Sequence, residues 1–228
     1  MSGWSRAALI ENEVLTTGLH RISLAVTAEV AGAFHAPGQY HRVRVPAGNA
    51  RDSMFAIASA PGGARFEYLI RASGSVAEAW ARLPVGAEVE VSRPEGKGFP
   101  LELARGRTVL AIGTGTGFAP LRSALLAIRA RRAEFGRVHA LYGAHSPAHL
   151  AWRQELTALV GEEIHVTPTV SERAEGWTGE LGRVQHLVER LPVEDAVVFL
   201  CGQAEMVADV TRALATRGVP PERVFLNF

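Results

Sequence analysis

The stretch from Thr108 to Arg122, TVLAIGTGTGFAPLR, leaves this chain few ways to fold. Thr108 to Ile112 is a short apolar run rich in β-branched residues, the composition of a strand buried on both faces. Gly113, Gly115 and Gly117 follow on alternate positions, with Thr114 and Thr116 between them, and a helical pattern opens at Phe118. Strand, glycine turn and helix start in that order make a cradle for a pyrophosphate. Glycine lets backbone N–H groups approach the anion, and the helix N-terminus adds unpaired donors and the positive end of its dipole. Pro120 suits the first helical turn, where its missing N–H goes unused. A glycine pattern alone is a weak signal, but this context points to a dinucleotide. The plain alternative is a glycine-rich connection with no ligand.

Composition bounds the rest. The 228 residues suffice for one large or two modest domains, and 24 Lys and Arg against 23 Asp and Glu leave a net charge of +1. That balance gives no reason to expect nucleic acid or an anionic membrane as partner. The N-terminal segment lacks an apolar signal core, and no run approaches the ~18 residues of a membrane span, so a cytoplasmic protein is expected. Cys201 is the single cysteine, which rules out an internal disulfide and a four-thiolate iron–sulfur cluster. His139, His145 and His165 show no metal spacing and are read as structural.

The first hundred residues carry short strand patterns: Trp4–Leu9, Leu19–Val26, Tyr40–Val45, Met54–Ala58, Arg65–Arg71 and Ala87–Ser92, separated by Pro and Gly turns. Ser75 is expected to cap a short helix over Val76–Leu83. Strands at this spacing suggest a small antiparallel barrel. After about residue 104 the rhythm changes. Apolar runs at Val109–Ile112, Val138–Tyr142, Ile164–Val166 and Val197–Cys201 alternate with helical stretches at Leu121–Arg132, Leu150–Val160, Leu181–Leu191 and Ala204–Arg217. This alternation predicts a doubly wound α/β domain with a parallel sheet over 104–228, following a barrel over 1–103.

In this order the motifs resemble the ferredoxin–NADP reductase superfamily. Gly38-Gln39-Tyr40 is similar to its barrel strand motif, Met54-Phe55-Ala56-Ile57-Ala58-Ser59 stands where its flavin signature stands, and Gly74-Ser75-Val76 precedes the pyrophosphate-capping helix. Gly113–Pro120 is similar to the pyridine-nucleotide loop. Leu141-Tyr142-Gly143-Ala144 matches the end of the next strand, Gly176-Trp177-Thr178-Gly179 a later turn, and Cys201-Gly202-Gln203 with Met206 the Cys-Gly-Pro…Met element. The resemblance implies a Greek-key flavin barrel, a nicotinamide-binding domain and electron transfer from NAD(P)H through FAD. It also places Cys201 beside the nicotinamide.

The departures are specific. Ser53 stands for the signature arginine that pairs with the flavin phosphates, Phe55 for the stacking tyrosine, and Ala56 for the hydroxyl residue at the reactive edge; Ala77 replaces a serine in the second motif. The alanine-containing stretch is similar to that of some plant oxidoreductases, which implies a branch of the family. Phe55 retains a π-face for the isoalloxazine. Backbone N–H groups of Ser75, Val76 and Ala77 remain for the pyrophosphate, and Ser59, Ser75, Arg51 or Arg71 offer side-chain donors. The adenine ribose is expected near Ser171-Glu172-Arg173. There Glu172 favours the free 2′-hydroxyl of NADH and Arg173 the 2′-phosphate of NADPH, leaving the cofactor open. The C-terminal Phe228 is expected to cover the flavin face, with Asn227 offering a polar contact. The function implied is a flavin-dependent oxidoreductase whose acceptor is a small carrier protein or a small molecule. A flavin-free module that senses NAD(P)H is the alternative, kept open by the lost arginine and hydroxyls.

Overall fold

The computed structural model describes residues 3–46, 51–160 and 163–227. The first half forms one antiparallel sheet of six strands: β1 (Trp4–Thr16), β2 (Leu19–Ala25), β3 (Tyr40–Arg44), β4 (Asp52–Ala56), β5 (Arg65–Arg71) and β6 (Glu88–Ser92). Their order is β4-β3-β6-β1-β2-β5. Strand β1 pairs with β2 and β6 at once, so it runs well past the Leu9 expected from sequence, with register shifts between Leu9 and Glu11 and between Val14 and Thr16. The expected barrel does not close. The edge strands β4 and β5 form no ladder, and their chains meet at a backbone bond from Ala58 N–H to the Glu67 carbonyl, 2.7 Å. The sheet curls round a core that includes Leu9, Ile22, Val43, Phe66, Tyr68, Trp80 and Val91.

Two short helices decorate this sheet. Helix α1 (Ala28–Ala33), absent from the sequence reading, is capped by Thr27, whose hydroxyl accepts from Val30 N–H. Helix α2 spans Ser75–Ala81 and corrects the expected cap: Gly74, at φ 82°, holds the N-cap position, and Ser75 is already helical. A left-handed backbone there suits glycine and strains serine.

The second half is a parallel sheet, β10-β9-β8-β7-β11-β12, flanked by helices. Its elements are β7 (Val109–Thr114), α3 (Phe118–Ala130), β8 (Val138–Ala144), α4 (Arg153–Val160), β9 (Ile164–Val170), β10 (Glu180–Leu181), β11 (Val197–Cys201), α5 (Ala204–Thr216) and β12 (Val224–Leu226). The central strands are buried on both faces, as their unbroken apolar composition requires. Two expected helices differ. Trp152 has φ 54°, so α4 begins only at Arg153, after a single 3₁₀ turn at Pro147–His149. Leu181–Leu191 forms the end of β10 and a 3₁₀ helix over Val184–Arg190.

The halves are joined by a continuous apolar cluster in which Leu19, Ala58, Leu69 and Phe99 share a core with Phe118, Ala119 and Phe199. One cation fastens the junction. Arg122, 5% exposed, donates to the Ala58 carbonyl at 2.9 Å and Glu67 at 2.7 Å, and forks onto Glu155 at 2.6 and 2.8 Å. Its guanidinium also lies 4.6 Å from the Trp152 ring. Beside it Ser123 Oγ donates to the Ser59 carbonyl at 2.6 Å.

Candidate functional site

The junction opens into a cleft of about 1210 Å³. Its first wall is built by Tyr40 at the start of β3, by β4, by the end of β5 and by residues 73–77 at the start of α2. Its second wall is the C-terminal edge of the parallel sheet: Thr114–Gly117 from the end of β7, Gly143–His145 from the end of β8, Cys201–Gln203 from the end of β11 and Asn227 after β12. Ligands of open α/β sheets bind at that edge.

The glycines of the loop after β7 serve different ends. A Cβ on Gly115, at φ 54°, would meet no protein atom within 4 Å and would stand in open space. A Cβ on Gly117 would lie 2.8 Å from the Cys201 carbonyl oxygen and 2.9 Å from Gly202 Cα, and one on Gly113 would collide with Leu121. Gly202 likewise has no room for a side chain against Met206 and Thr114 Oγ1. So Gly115 is the position where backbone is bared to a ligand, while Gly113, Gly117 and Gly202 allow the loop, α3 and β11 to close-pack. Gly113 does not reach the cleft, which corrects its expected place in the cradle.

On the opposite wall Phe55 stands edge-on to Trp80, ring centroids 4.8 Å apart at 75°, and presents its remaining surface to the cleft with Ala56. Ile57 and Ala58 are buried away from it. The Ser59 hydroxyl accepts from Glu67 N–H at 3.2 Å and its carbonyl holds Ser123, so Ser59 braces the junction and does not line the cleft. Arg51 and Arg71 both reach the wall near Ser53 and Gly74. Across from Arg71 lies His149, held below the usual imidazole range by partial burial, then by the charges of Arg71 and His145. Arg51 and Arg71 thus bring two guanidinium groups to this wall, the kind of group a phosphate pairs with.

Cys201 and Asn227 occupy neighbouring positions, because Leu200 and Leu226 are paired in register on β11 and β12. Burial pushes the Cys201 thiol up to about 12, so it is a neutral thiol at physiological pH. Asn227 is nine-tenths buried, and its Oδ1 has no hydrogen-bond partner within the protein. A buried carbonyl oxygen left bare at a cleft wall awaits a donor from a ligand.

Most expected site residues thus converge: Tyr40, Phe55, Ala56, Gly74–Ala77, Thr114–Gly117, Pro120, Ser171, Cys201–Gln203, Met206 and Asn227 share one cleft. Glu172 and Arg173 do not line it. Glu172 instead takes His145 Nε2 at 2.8 Å just beyond the rim. Phe228 lies outside the described residues. Sequence reasoning set aside His145 as isolated, yet it lines the cleft with His149, and His165 is stacked on His139 at 4.9 Å. Arg183 and Gln185 also line it unannounced. The signal for His145 was its place just after Gly143-Ala144, at a strand's C-terminal end. Among the described residues no group of three or more His, Cys, Asp or Glu is placed to hold a metal, and no helix is long and apolar enough to cross a membrane.

Comparison with known proteins agrees with this geometry. Residues 111–212 match the family model of the oxidoreductase NAD-binding domain. Ferredoxin–NADP reductase B of Sorangium cellulosum is 34% identical over 188 residues, covering 76% of each chain. The chain belongs to the ferredoxin–NADP reductase superfamily. Members of this superfamily are FAD-containing, NAD(P)H-dependent oxidoreductases. The gamma subunit of sulfhydrogenase 1 from Pyrococcus furiosus is 30% identical over 198 residues, 84% of this chain and 67% of that one. Several of the curated relatives are longer, and the chain spans about two thirds of their length or less. In fold, a ferredoxin–NADP reductase from Neisseria gonorrhoeae, solved with FAD and NADP, superposes with a TM-score of 0.85 at 19% identity, over 99% of this chain and 98% of that one.

Proposed function

We propose that this superfamily member passes hydride from a reduced nicotinamide dinucleotide to FAD, and that the electrons leave for an acceptor outside the chain. The observation that carries this reading is the continuity of the cleft from Phe55 and residues 74–77 to Thr114–Gly117 and Cys201. Two rings entering from opposite walls share one space. The residues present suit FAD despite the altered signature, since Arg51 and Arg71 line the cleft and offer cations for its phosphates, and Asn227 Oδ1 is an unfilled acceptor.

In this reading Phe55 and Tyr40 offer aromatic faces to the isoalloxazine, and Arg51 and Arg71 meet the flavin phosphates in place of the arginine absent at Ser53. The N–H groups of Thr114–Gly117 receive the pyrophosphate of the second nucleotide. Cys201, as a neutral thiol, packs beside the nicotinamide and excludes water; it attacks nothing. Asn227 Oδ1 accepts an N–H from the flavin edge or the nicotinamide carboxamide. FAD, when bound, supplies the hydride-accepting and electron-releasing chemistry, and the protein's part is to hold the rings face to face. NADH is the favoured donor, on the strength of Glu172 near the ribose end of the cleft. A partner protein is the favoured acceptor, because a gamma subunit of a larger assembly is among the relatives.

Two measurements test this. Purified protein titrated with FAD should turn yellow and retain flavin through gel filtration, and anaerobic NADH should then bleach it, faster than NADPH does. A colourless protein that binds NADH but no FAD is a nucleotide-sensing module, and the reading is wrong.

A further inference from the structure

The core of the antiparallel sheet holds a titratable pair that hydride transfer does not use. His41 and Tyr68 are both fully buried, and His41 Nδ1 lies 2.7 Å from the Tyr68 hydroxyl oxygen. His41 Nε2 is also buried and has no partner. This fixes the sense of the bond. If Nδ1–H donated to the phenol oxygen, the phenol proton and the Nε2 lone pair would both be stranded. With Tyr68 donating to Nδ1, only the Nε2–H goes unmet. Burial keeps both groups neutral: it lowers His41 to about 4, against the opposing charge of Glu95, and raises Tyr68.

The pair is the inner end of a row of aromatic rings that reaches the cleft. Tyr68 packs on Trp80 with centroids 5.1 Å apart, Trp80 packs on Phe55 at 4.8 Å, and Phe55 lines the cleft. Trp80 is fully buried on α2, one turn beyond Val76 and Ala77, which line the same wall. Thus an oxidisable indole stands one ring behind the cleft, and an oxidisable phenol with a proton acceptor already hydrogen-bonded stands behind that. Oxidising a buried phenol requires a base to take its proton at once, because a bare phenol radical cation in an apolar core has no compensation. The 2.7 Å bond to a neutral imidazole supplies that base.

We propose that Trp80, Tyr68 and His41 form a relay that carries an oxidising equivalent out of the flavin cleft into the core of the antiparallel sheet. The proposal rests on the FAD-binding reading above. The oxidant is photoexcited oxidised flavin, a one-electron acceptor. One electron leaves the Trp80 indole for the flavin. Tyr68 then returns an electron to the indole radical cation and loses its phenolic proton along the hydrogen bond to His41 Nδ1. The flavin has gained one electron, Trp80 is restored, Tyr68 is a neutral phenoxyl radical and His41 an imidazolium. Return of the electron from the flavin and of the proton from His41 closes the cycle. An imidazolium is costly in this core, so the proton is held only while Tyr68 is oxidised. The relay thereby empties a reactive excited state without permanent damage to the residues around the cleft.

The experiment is flash excitation of the FAD-loaded full chain, read by transient absorption and by the lifetime of flavin fluorescence. The chain has three tyrosines. Tyr40 lines the cleft and can quench flavin directly, so the measurement is made in a Tyr40→Phe background. A phenoxyl radical should form after the flash. It should vanish in Tyr68→Phe and fall several-fold in Trp80→Phe, where the flavin lifetime should lengthen. Its formation should slow in D₂O. With FAD bound, a phenoxyl signal that is absent, or that persists in Tyr68→Phe, overturns the relay and leaves the FAD reading standing. Failure of the chain to bind FAD overturns both. Should Trp80→Phe not fold, Tyr68→Phe, which removes a single hydroxyl, decides the question alone.

Discussion

The centre of the parallel sheet and the interior of the antiparallel half satisfy their buried polar groups by different means; the polar side chains that the parallel half buries, Arg122, Ser123, Thr169 and Asn227, lie outside its two central strands. At the centre of the parallel sheet, β7 and β11 bury Val109–Ile112 and Val197–Cys201 without one polar side chain, because ladders on both sides take up their backbone groups, over Val198–Leu200 on the β12 side. The antiparallel half buries Ser23, Gln39, His41 and Ser92. Gln39 is a typical case: its Oε1 accepts from the N–H groups of His35 and Ala36, and its Nε2 donates to the Gly96 carbonyl, so one amide satisfies two loops that no ladder reaches. An unclosed, curled sheet needs such side chains. The consequence extends to function. The cleft wall on the parallel side is made largely of backbone geometry, whereas the wall on the antiparallel side is assembled from individual side chains, and in the reading proposed above Arg51 takes the part of the arginine absent at Ser53.

The largest effect is expected where the halves meet. Arg122→Ala would strand Glu67 and the Ala58 carbonyl at the junction, and removing one partner of a buried pair costs about 3–5 kcal/mol. Urea unfolding should show that loss, and Arg122→Lys should recover only part of it, since lysine lacks the fork that grips Glu155. A loss below about 1 kcal/mol, the worth of an exposed pair, would mean that the apolar cluster alone fastens the junction.

The polar core of the antiparallel half should also betray itself in acid. His41 is held near 4 in the folded state against 6.5 in the open chain, so between those pH values the unfolded chain binds the extra proton. Stability is then full above pH 6.5 and falls as pH drops towards 4, by about 3 kcal/mol. In His41→Asn the acid slope over that window should flatten. An unchanged slope would assign the loss to other groups.

Gly115 and Gly117 offer a comparison within one loop. Gly117→Ala drives a methyl against the Cys201 carbonyl and should destabilise the fold by about 1–3 kcal/mol, as overpacking does. Gly115→Val meets no protein atom, so its main effect should be a raised Kd for NADH, beyond about 1 kcal/mol of strain from its positive φ. Calorimetry on both variants separates the two. Equal nucleotide affinity in Gly115→Val would remove the loop from the binding site. Phe55→Ala is expected to weaken FAD by about 1–2 kcal/mol, since an aromatic contact of that size is lost. Fluorescence titration of a folded variant with unchanged affinity would leave Tyr40 as the stacking ring.

How legible was this in the sequence? The strand–loop–helix from Val109 to Ala130 could be read directly, because local chemistry dictates it: glycine where backbone must be bare, apolar runs where both faces are covered. The row of residues along the sheet's C-terminal edge followed from strand order. The junction did not. Arg122 closes the glycine-loop stretch with nothing in the sequence to mark its partners, and only tertiary packing brings Ala58, Glu67, Glu155 and Trp152 around it. The barrel's failure to close was equally hidden, since strand spacing says nothing of whether edges pair. Ser59 looked like a phosphate donor by position, but its hydroxyl faces the junction, where its oxygen accepts from Glu67 N–H, and it does not line the cleft.

The smallest effect separates the two ends of the nucleotide. Ser171 lines the cleft, but Glu172 turns from it to His145, with both side chains more than half exposed. An exposed pair of this kind is worth little, so Glu172 is free to swing to a ribose when one arrives. A carboxylate there accepts from a free 2′-hydroxyl and repels a 2′-phosphate. Glu172→Arg replaces that repulsion with attraction, releases His145 from its partner and adds a second cation beside Arg173. The preference for NADH over NADPH should then fall or invert, by about 1 kcal/mol or less in each affinity because solvent screens both charges. FAD retention and melting temperature should not move, as the residue touches neither wall of the flavin side. Steady-state kcat/KM for both nucleotides is the measurement. An unchanged ratio would place the ribose elsewhere along the rim, with Arg183 and Gln185 the residues to substitute next.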